Sequence, residues 1–100
     1  MRVYVSSPNP AISPQILAYA EYRLFAVLAR YSGVRGAQVV LRQEAAGGVR
    51  CSVTIDFDST ASARARANGP NASDTIDRAV ERVVQLMQRR VQPEIAAASH

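Results

Sequence analysis

The residues with the spacing to do covalent chemistry are Asp56 and Asp58, in the run Asp56-Phe57-Asp58-Ser59-Thr60. A D-x-D-x-T run at a strand end suits phosphoryl transfer, with one aspartate attacking phosphorus and the second supplying a proton. That chemistry also needs magnesium and a distant lysine, and this chain contains no lysine. Its 100 residues are also too few for the doubly wound sheet that carries such a site. The run reads instead as a tight turn between strands. Cys51 alternates with Val53 and Ile55, which makes it a small core residue rather than a nucleophile. The one histidine, His100, is the last residue, so neither a Cys–His pair nor a zinc site can be assembled. Asn71-Ala72-Ser73 has the N-glycosylation pattern, but without a secretory signal it reads as a helix cap. No enzyme, metal site, cofactor or small-molecule substrate is expected.

What remains is arginine. All twelve basic residues are arginine against eight acidic ones, for a formal net charge of +4. Guanidinium forks match phosphate oxygens, so an anionic partner is the natural expectation. One group, Arg42, Arg50, Arg64 and Arg66, falls on predicted strands, where a simpler reading also holds. Arginine blunts an exposed strand edge, and a solvated sheet face has to carry something polar. A second group, Arg78, Arg82, Gln85 and Arg89, recurs at helical spacing and forms one solvent stripe, with Asp74 placed to pair with Arg78. The apolar fraction is 48%, yet no apolar run approaches the ~20 residues of a membrane span. A soluble cytoplasmic protein is expected, and the single cysteine fits a reducing compartment.

These side chains need elements to position them. Val3 and Val5 alternate with Arg2, Tyr4 and Ser6 in a short strand. Pro8 and Pro10 break it, and Ser13 with Pro14 opens a helix. Leu17, Ala20, Leu24, Val27, Leu28 and Tyr31 line one face of that helix, predicting about five turns up to a stop at Gly33. Ala37, Val39 and Leu41 define a second strand, and Gly47-Gly48 a hairpin turn. Cys51, Val53, Ile55 and Phe57 form the inner side of a third strand, and the alanines of 61–67 that of a fourth. Asn71 and Asp74 resemble a capping box opening a second helix, whose stripe is Ile76, Val80, Val83 and Met87. The expected fold class is α+β: a single-domain β-α-β-β-β-α chain, with a four-stranded sheet and two helices packed on one face. The domain is expected over 1–92, with 93–100 a disordered tail.

Ile12-Ser13-Pro14 leads a helix that continues through Tyr19 and Arg23-Leu24; Val39-Val40-Leu41 fills the second strand, and Arg50-Cys51 opens the third. Asn71-Ala72-Ser73-Asp74-Thr75-Ile76-Asp77 opens the second helix. In this order and spacing, residues 1–92 resemble the ribosome hibernation-promoting factor and ribosome-associated inhibitor family, also called sigma-54 modulation proteins. The resemblance implies a short-form, bacterial, non-enzymatic protein of stationary phase or stress. Such a protein binds the small ribosomal subunit and its 16S rRNA near the tRNA and mRNA channel and blocks translation. It implies rRNA phosphate contacts at Arg23, Arg82 and Arg89, extended by Arg78 and Arg90, with Arg42, Arg50, Arg64 and Arg66 a secondary basic face. Ala26 stands where the family usually has lysine, Gln85 replaces a frequent basic residue, and Ser73 stands where an aromatic is common. The rival expectation is an interaction module of the same fold that binds a protein partner or itself through a free strand edge. The sequence carries no signal of oligomeric state.

Overall fold

Alternating apolar residues build four strands that share one helix-covered face. The computed structural model describes the backbone of residues 1–98 and the side chains of residues 1–90. The order is β1 (Arg2–Ser6), α1 (Pro14–Leu28), β2 (Val34–Gln43), β3 (Val49–Phe57), β4 (Ser62–Gly69) and α2 (Ala72–Ala98). The sheet runs β1-β2-β3-β4, with β1 parallel to β2 and the other two pairs antiparallel. This is the predicted α+β arrangement. The helical crossover joins the parallel pair, and two hairpins join the rest. No described helix is long and apolar enough to cross a membrane. The disordered tail expected over 93–100 falls on residues whose side chains, and for 99–100 also the backbone, lie outside the described residues; the helical backbone itself continues to Ala98.

Helix starts follow their caps. Ser13 Oγ accepts from the Ile16 amide at 3.3 Å, and Pro14 occupies the first helical position. Asn71 Oδ1 accepts from the Asp74 amide at 2.9 Å, while Asn71 Nδ2 donates to the Asp74 carboxylate at 3.2 Å. Helix α1 ends earlier than its stripe predicts, at Leu28. Its last carbonyls are taken up by tighter bonds from Arg30 to Val27 and from Tyr31 to Leu28. Gly33, at φ +83°, then makes the reversal into β2.

The core lies between helices and sheet. Leu24, Leu28, Leu41, Ile55, Ile76 and Met87 are fully buried, each worth about 1.5–3 kcal/mol relative to exposure. Cys51, Val53, Ile55 and Phe57 all turn inward, as do Ala65 and Ala67 of β4. Small side chains on β4 let α2 sit close to it. A Cβ on Gly69 would come within 2.6 Å of Thr75 Oγ1, the one fully buried polar side chain described. That hydroxyl lies 2.6 Å from the Asn71 carbonyl and 3.2 Å from that of Val49, so the first turn of α2 is hydrogen-bonded to β3.

Candidate functional site

The open face of the sheet is polar and, on its β4 side, basic. The register places Tyr4, Gln38, Thr54 and Arg64 in one row across the four strands, and Val40, Ser52 and Arg66 in the next. Arg42, Arg50, Arg64 and Arg66 are all exposed. Arg42 and Arg50 face each other across β2 and β3, a like-charge pair that costs stability. Glu44 offsets it, with a carboxylate oxygen 2.8 Å from Arg50 Nε.

Helix α2 presents two different flanks. Arg78, Arg82, Gln85 and Arg89 lie along the β4 border of the sheet. There Arg78 donates to the Asn68 carbonyl at 2.9 Å, and Arg82 to the Arg66 carbonyl at 2.5 Å. The expected Asp74–Arg78 pair does not form, because Asp74 is engaged by the Asn71 cap and Arg78 reaches β4 instead. On its other flank, Asp77 faces α1. Its carboxylate accepts from Arg23 at 2.8 Å and from the Tyr19 hydroxyl at 2.6 Å, while Arg23 also donates to that hydroxyl at 2.7 Å. The Arg23 guanidinium sits 5.7 Å from the Tyr19 ring centre. Further along α2, Arg90 lies over the Phe57 ring at 3.9 Å, at the far end of the sheet.

The five helix arginines therefore do not converge on one patch. Arg23 is tied into the α1–α2 contact, Arg90 caps Phe57, and Arg78, Arg82 and Arg89 share the β4 border. That border also holds Arg64 and Arg66, which pattern alone assigned to a separate face. Arg64, Arg66, Arg82, Gln85 and Arg89 line a groove of about 470 Å³. Arg64 and Arg66 also line a second concavity of about 250 Å³ on the open sheet face, with Arg42, Ser52 and Thr54. The two arginine groups thus meet across β4 in one basic surface. Within it, Arg82 is held by a backbone carbonyl with most of its five N–H donors unused, a prepared fork for a phosphate. Arg42, Arg64, Arg66 and Arg89 have no side-chain hydrogen bond or ion pair among the described residues. Ala26 and Gln85 are both exposed, so neither missing charge is explained by burial.

Sequence reasoning missed Tyr19 and Asp77 as partners of Arg23, although the spacing of four between Tyr19 and Arg23 was a usable signal. It also missed Phe57 as a seat for Arg90, which only the tertiary fold brings together. Asp58-Ser59-Thr60 forms the β3–β4 turn as read, while Asp56 lies within β3 opposite Ser62. The Asp58 amide donates to the Gly33 carbonyl at 2.9 Å, so that residue fastens the turn to the start of β2. No group of three or more metal-ligating side chains occurs among the described residues. Burial pushes the Cys51 thiol up to about 11, which keeps it protonated and unreactive near neutral pH.

Solved structures that share this architecture include the following two. A ribosomal subunit interface protein from Coxiella burnetii superposes with a TM-score of 0.78 at 11% identity, over 90% of this chain and 97% of that one. The N-terminal domain of Protein Y from Thermus thermophilus gives 0.70 at 24% identity, over 88% and 93%. At these identities the likeness speaks to fold. No curated protein matches the chain by sequence. The family model described as sigma 54 modulation protein / S30EA ribosomal protein matches residues 3–92, which takes in the sheet from Val3 on, α1 and most of α2. With its β-α-β-β-β-α order and its match over nine-tenths of its length, the chain belongs to the sigma-54 modulation protein/S30EA ribosomal protein family.

Proposed function

We propose that this member of a ribosome-associated family is a non-enzymatic translation inhibitor of the cytoplasm. It binds the small ribosomal subunit, laying its β4–α2 border against 16S rRNA near the tRNA and mRNA channel during stress or stationary phase. The observation that carries the reading is the continuous basic surface formed by Arg64, Arg66, Arg82 and Arg89 around one groove, extended by Arg42 across the open sheet face. Such a surface suits a phosphodiester backbone, because each guanidinium can grip phosphate oxygens without reading base identity. The folded bulk then acts sterically, and no reacting group is required. Arg78 supports the same border from its bond to β4, whereas Arg23, Arg50 and Arg90 hold the fold or sit away from the groove.

Co-sedimentation with isolated 30S, 50S and 70S particles across a salt series tests this. Binding to 30S and 70S is expected, with the logarithm of the affinity falling linearly as the logarithm of salt concentration rises. Absence of binding at low salt, or binding to 50S alone, overturns the reading.

For the rival reading of an interaction module, the geometry speaks only against the fourth strand as its pairing edge. Arg78 and Arg82 already occupy two β4 carbonyls, and an incoming strand would have to displace them.

A further inference from the structure

The opposite border of the sheet is built differently. β1 pairs only with β2, leaving its other side without a strand. Among the described residues, no side chain hydrogen-bonds to the backbone of 1–6; the one bond there joins Arg2 to the Tyr4 hydroxyl. A groove of about 540 Å³ runs along this border, lined by residues 1–5 and walled by Glu21 and Phe25 of α1. Among the described residues the exposed large apolar side chains are Met1, Tyr4, Tyr22 and Phe25, and three of these four line that groove. An unpaired strand bordered by exposed aromatics is shaped to receive another strand.

We propose that the occupant is a second copy of this chain, with β1 pairing antiparallel to β1 across a two-fold axis at Tyr4. The segment Arg2-Val3-Tyr4-Val5-Ser6 is self-complementary in that register. Tyr4 meets Tyr4, Val3 meets Val5 on the helix side, and Arg2 meets Ser6, so no like charges face each other. A shift that set Arg2 against Arg2 would lose both the overlap and the charge match. The arrangement is isologous and closes at two subunits, joining two four-stranded sheets into one of eight strands. Each Phe25 then covers apolar surface at the seam, and the two basic β4–α2 borders lie at opposite ends, free for anionic ligands. The dimer is independent of what those borders bind.

Sedimentation equilibrium of the full chain over a concentration series tests this, read beside the double variant Tyr4→Asp/Phe25→Asp, with circular dichroism to check folding. Both side chains are exposed, so the variant should retain its helix signal. The wild type is expected to approach twice the monomer mass, and the variant to stay monomeric. A second measurement fixes the register: Tyr4→Cys should give an oxidised covalent dimer, because directly opposed strand residues bring their Cβ atoms close to disulfide range. Ser62→Cys on β4 should not, and buried Cys51 does not compete. A wild type that stays monomeric, or a dimer that survives the double variant or cross-links through Ser62→Cys, overturns the proposal. A monomeric wild type whose ribosome binding is lost in the double variant would assign the groove to the ribosome and equally refute self-pairing.

Discussion

The two borders of the sheet handle the same liability in opposite ways. On the β4 side, α2 sends Arg78 and Arg82 to backbone carbonyls, and Arg64, Arg66 and Arg89 surround them with charge. On the β1 side, α1 offers Phe25 and Glu21, and the strand's free side is left to solvent. The helices repeat the contrast. The outward positions of α1 include Ala18, Tyr22, Phe25 and Ala26, whereas those of α2 include Arg78, Arg82, Gln85, Arg89 and Arg90. A net charge of +4 sounds diffuse, but it is distributed so that one border is strongly basic and the other nearly neutral and apolar. What closes a strand edge on one side thereby also forms the surface proposed above for an anionic partner. The exposed apolar side is the one proposed to pair with a second copy.

The largest effect is expected from reversing the charge of the β4 border. Arg64→Glu/Arg66→Glu/Arg89→Glu removes three guanidiniums that hold no described side-chain partner, so the fold should survive with an unchanged helix signal. Ribosome affinity should fall by at least about 100-fold at low salt, since three favourable phosphate contacts become repulsive. The double variant Tyr4→Asp/Phe25→Asp should leave that affinity within about threefold, because it touches no group placed against phosphate. Co-sedimentation of both variants decides the matter. If the β1 variant loses the ribosome and the β4 variant keeps it, the comparison is inverted.

Much of this was legible in the pattern of residues. Alternation in Cys51, Val53, Ile55 and Phe57 specified both a strand and its buried side, and Ser13-Pro14 and Asn71 marked where helices begin. Periodicity also gave the stripe Arg78, Arg82, Gln85 and Arg89. It could not show that the stripe faces β4, because the position of α2 around the sheet depends on alanines 63, 65 and 67 admitting the helix closely. For the same reason Arg64 and Arg66 read as members of a separate face until β4 was placed beside α2. The end of α1 was overestimated because Tyr31 continues the apolar spacing, although the backbone has already turned into tighter bonds that lead to Gly33. Arg23 read as an RNA contact by position, and only the tertiary structure set Asp77 against it.

A smaller and purely structural effect should mark the β1 border. Gly36 lies opposite Arg2, and a Cβ placed there would fall 2.6 Å from the Arg2 carbonyl oxygen, a backbone atom with little room to yield. Gly36→Ala should therefore push β1 away from β2 and cost about 1–3 kcal/mol, the usual range for overpacking. For a domain of this size each kcal/mol corresponds to roughly 4–8 °C in Tm, readable by thermal melting. The folded fraction should keep its ribosome affinity, because the β4 border is untouched. A melting point equal to wild type would mean that β1 is held more loosely than the close approach implies.

The smallest effect, and the sharpest division between the borders and the middle of the molecule, concerns Arg23. It is partly exposed, as is Asp77, at 36% and 49% of their side-chain surfaces, so their ion pair contributes at most about 1 kcal/mol. Adding its bond to Tyr19 and its place beside that ring, Arg23→Ala should lower stability by roughly 1 kcal/mol. A residue that ties α1 to α2 and already faces a carboxylate contributes little further attraction to phosphate. Ribosome binding should therefore weaken less for Arg23→Ala than for Arg89→Ala, measured side by side at one salt concentration. Asp77→Asn gives the converse, since it removes a negative charge and releases the guanidinium, so affinity should rise slightly as stability falls. If instead Arg23→Ala weakens binding more than Arg89→Ala, and Asp77→Asn fails to strengthen it, the phosphate contacts lie along the α1–α2 side. The β4 border would then be a structural edge cover and nothing more.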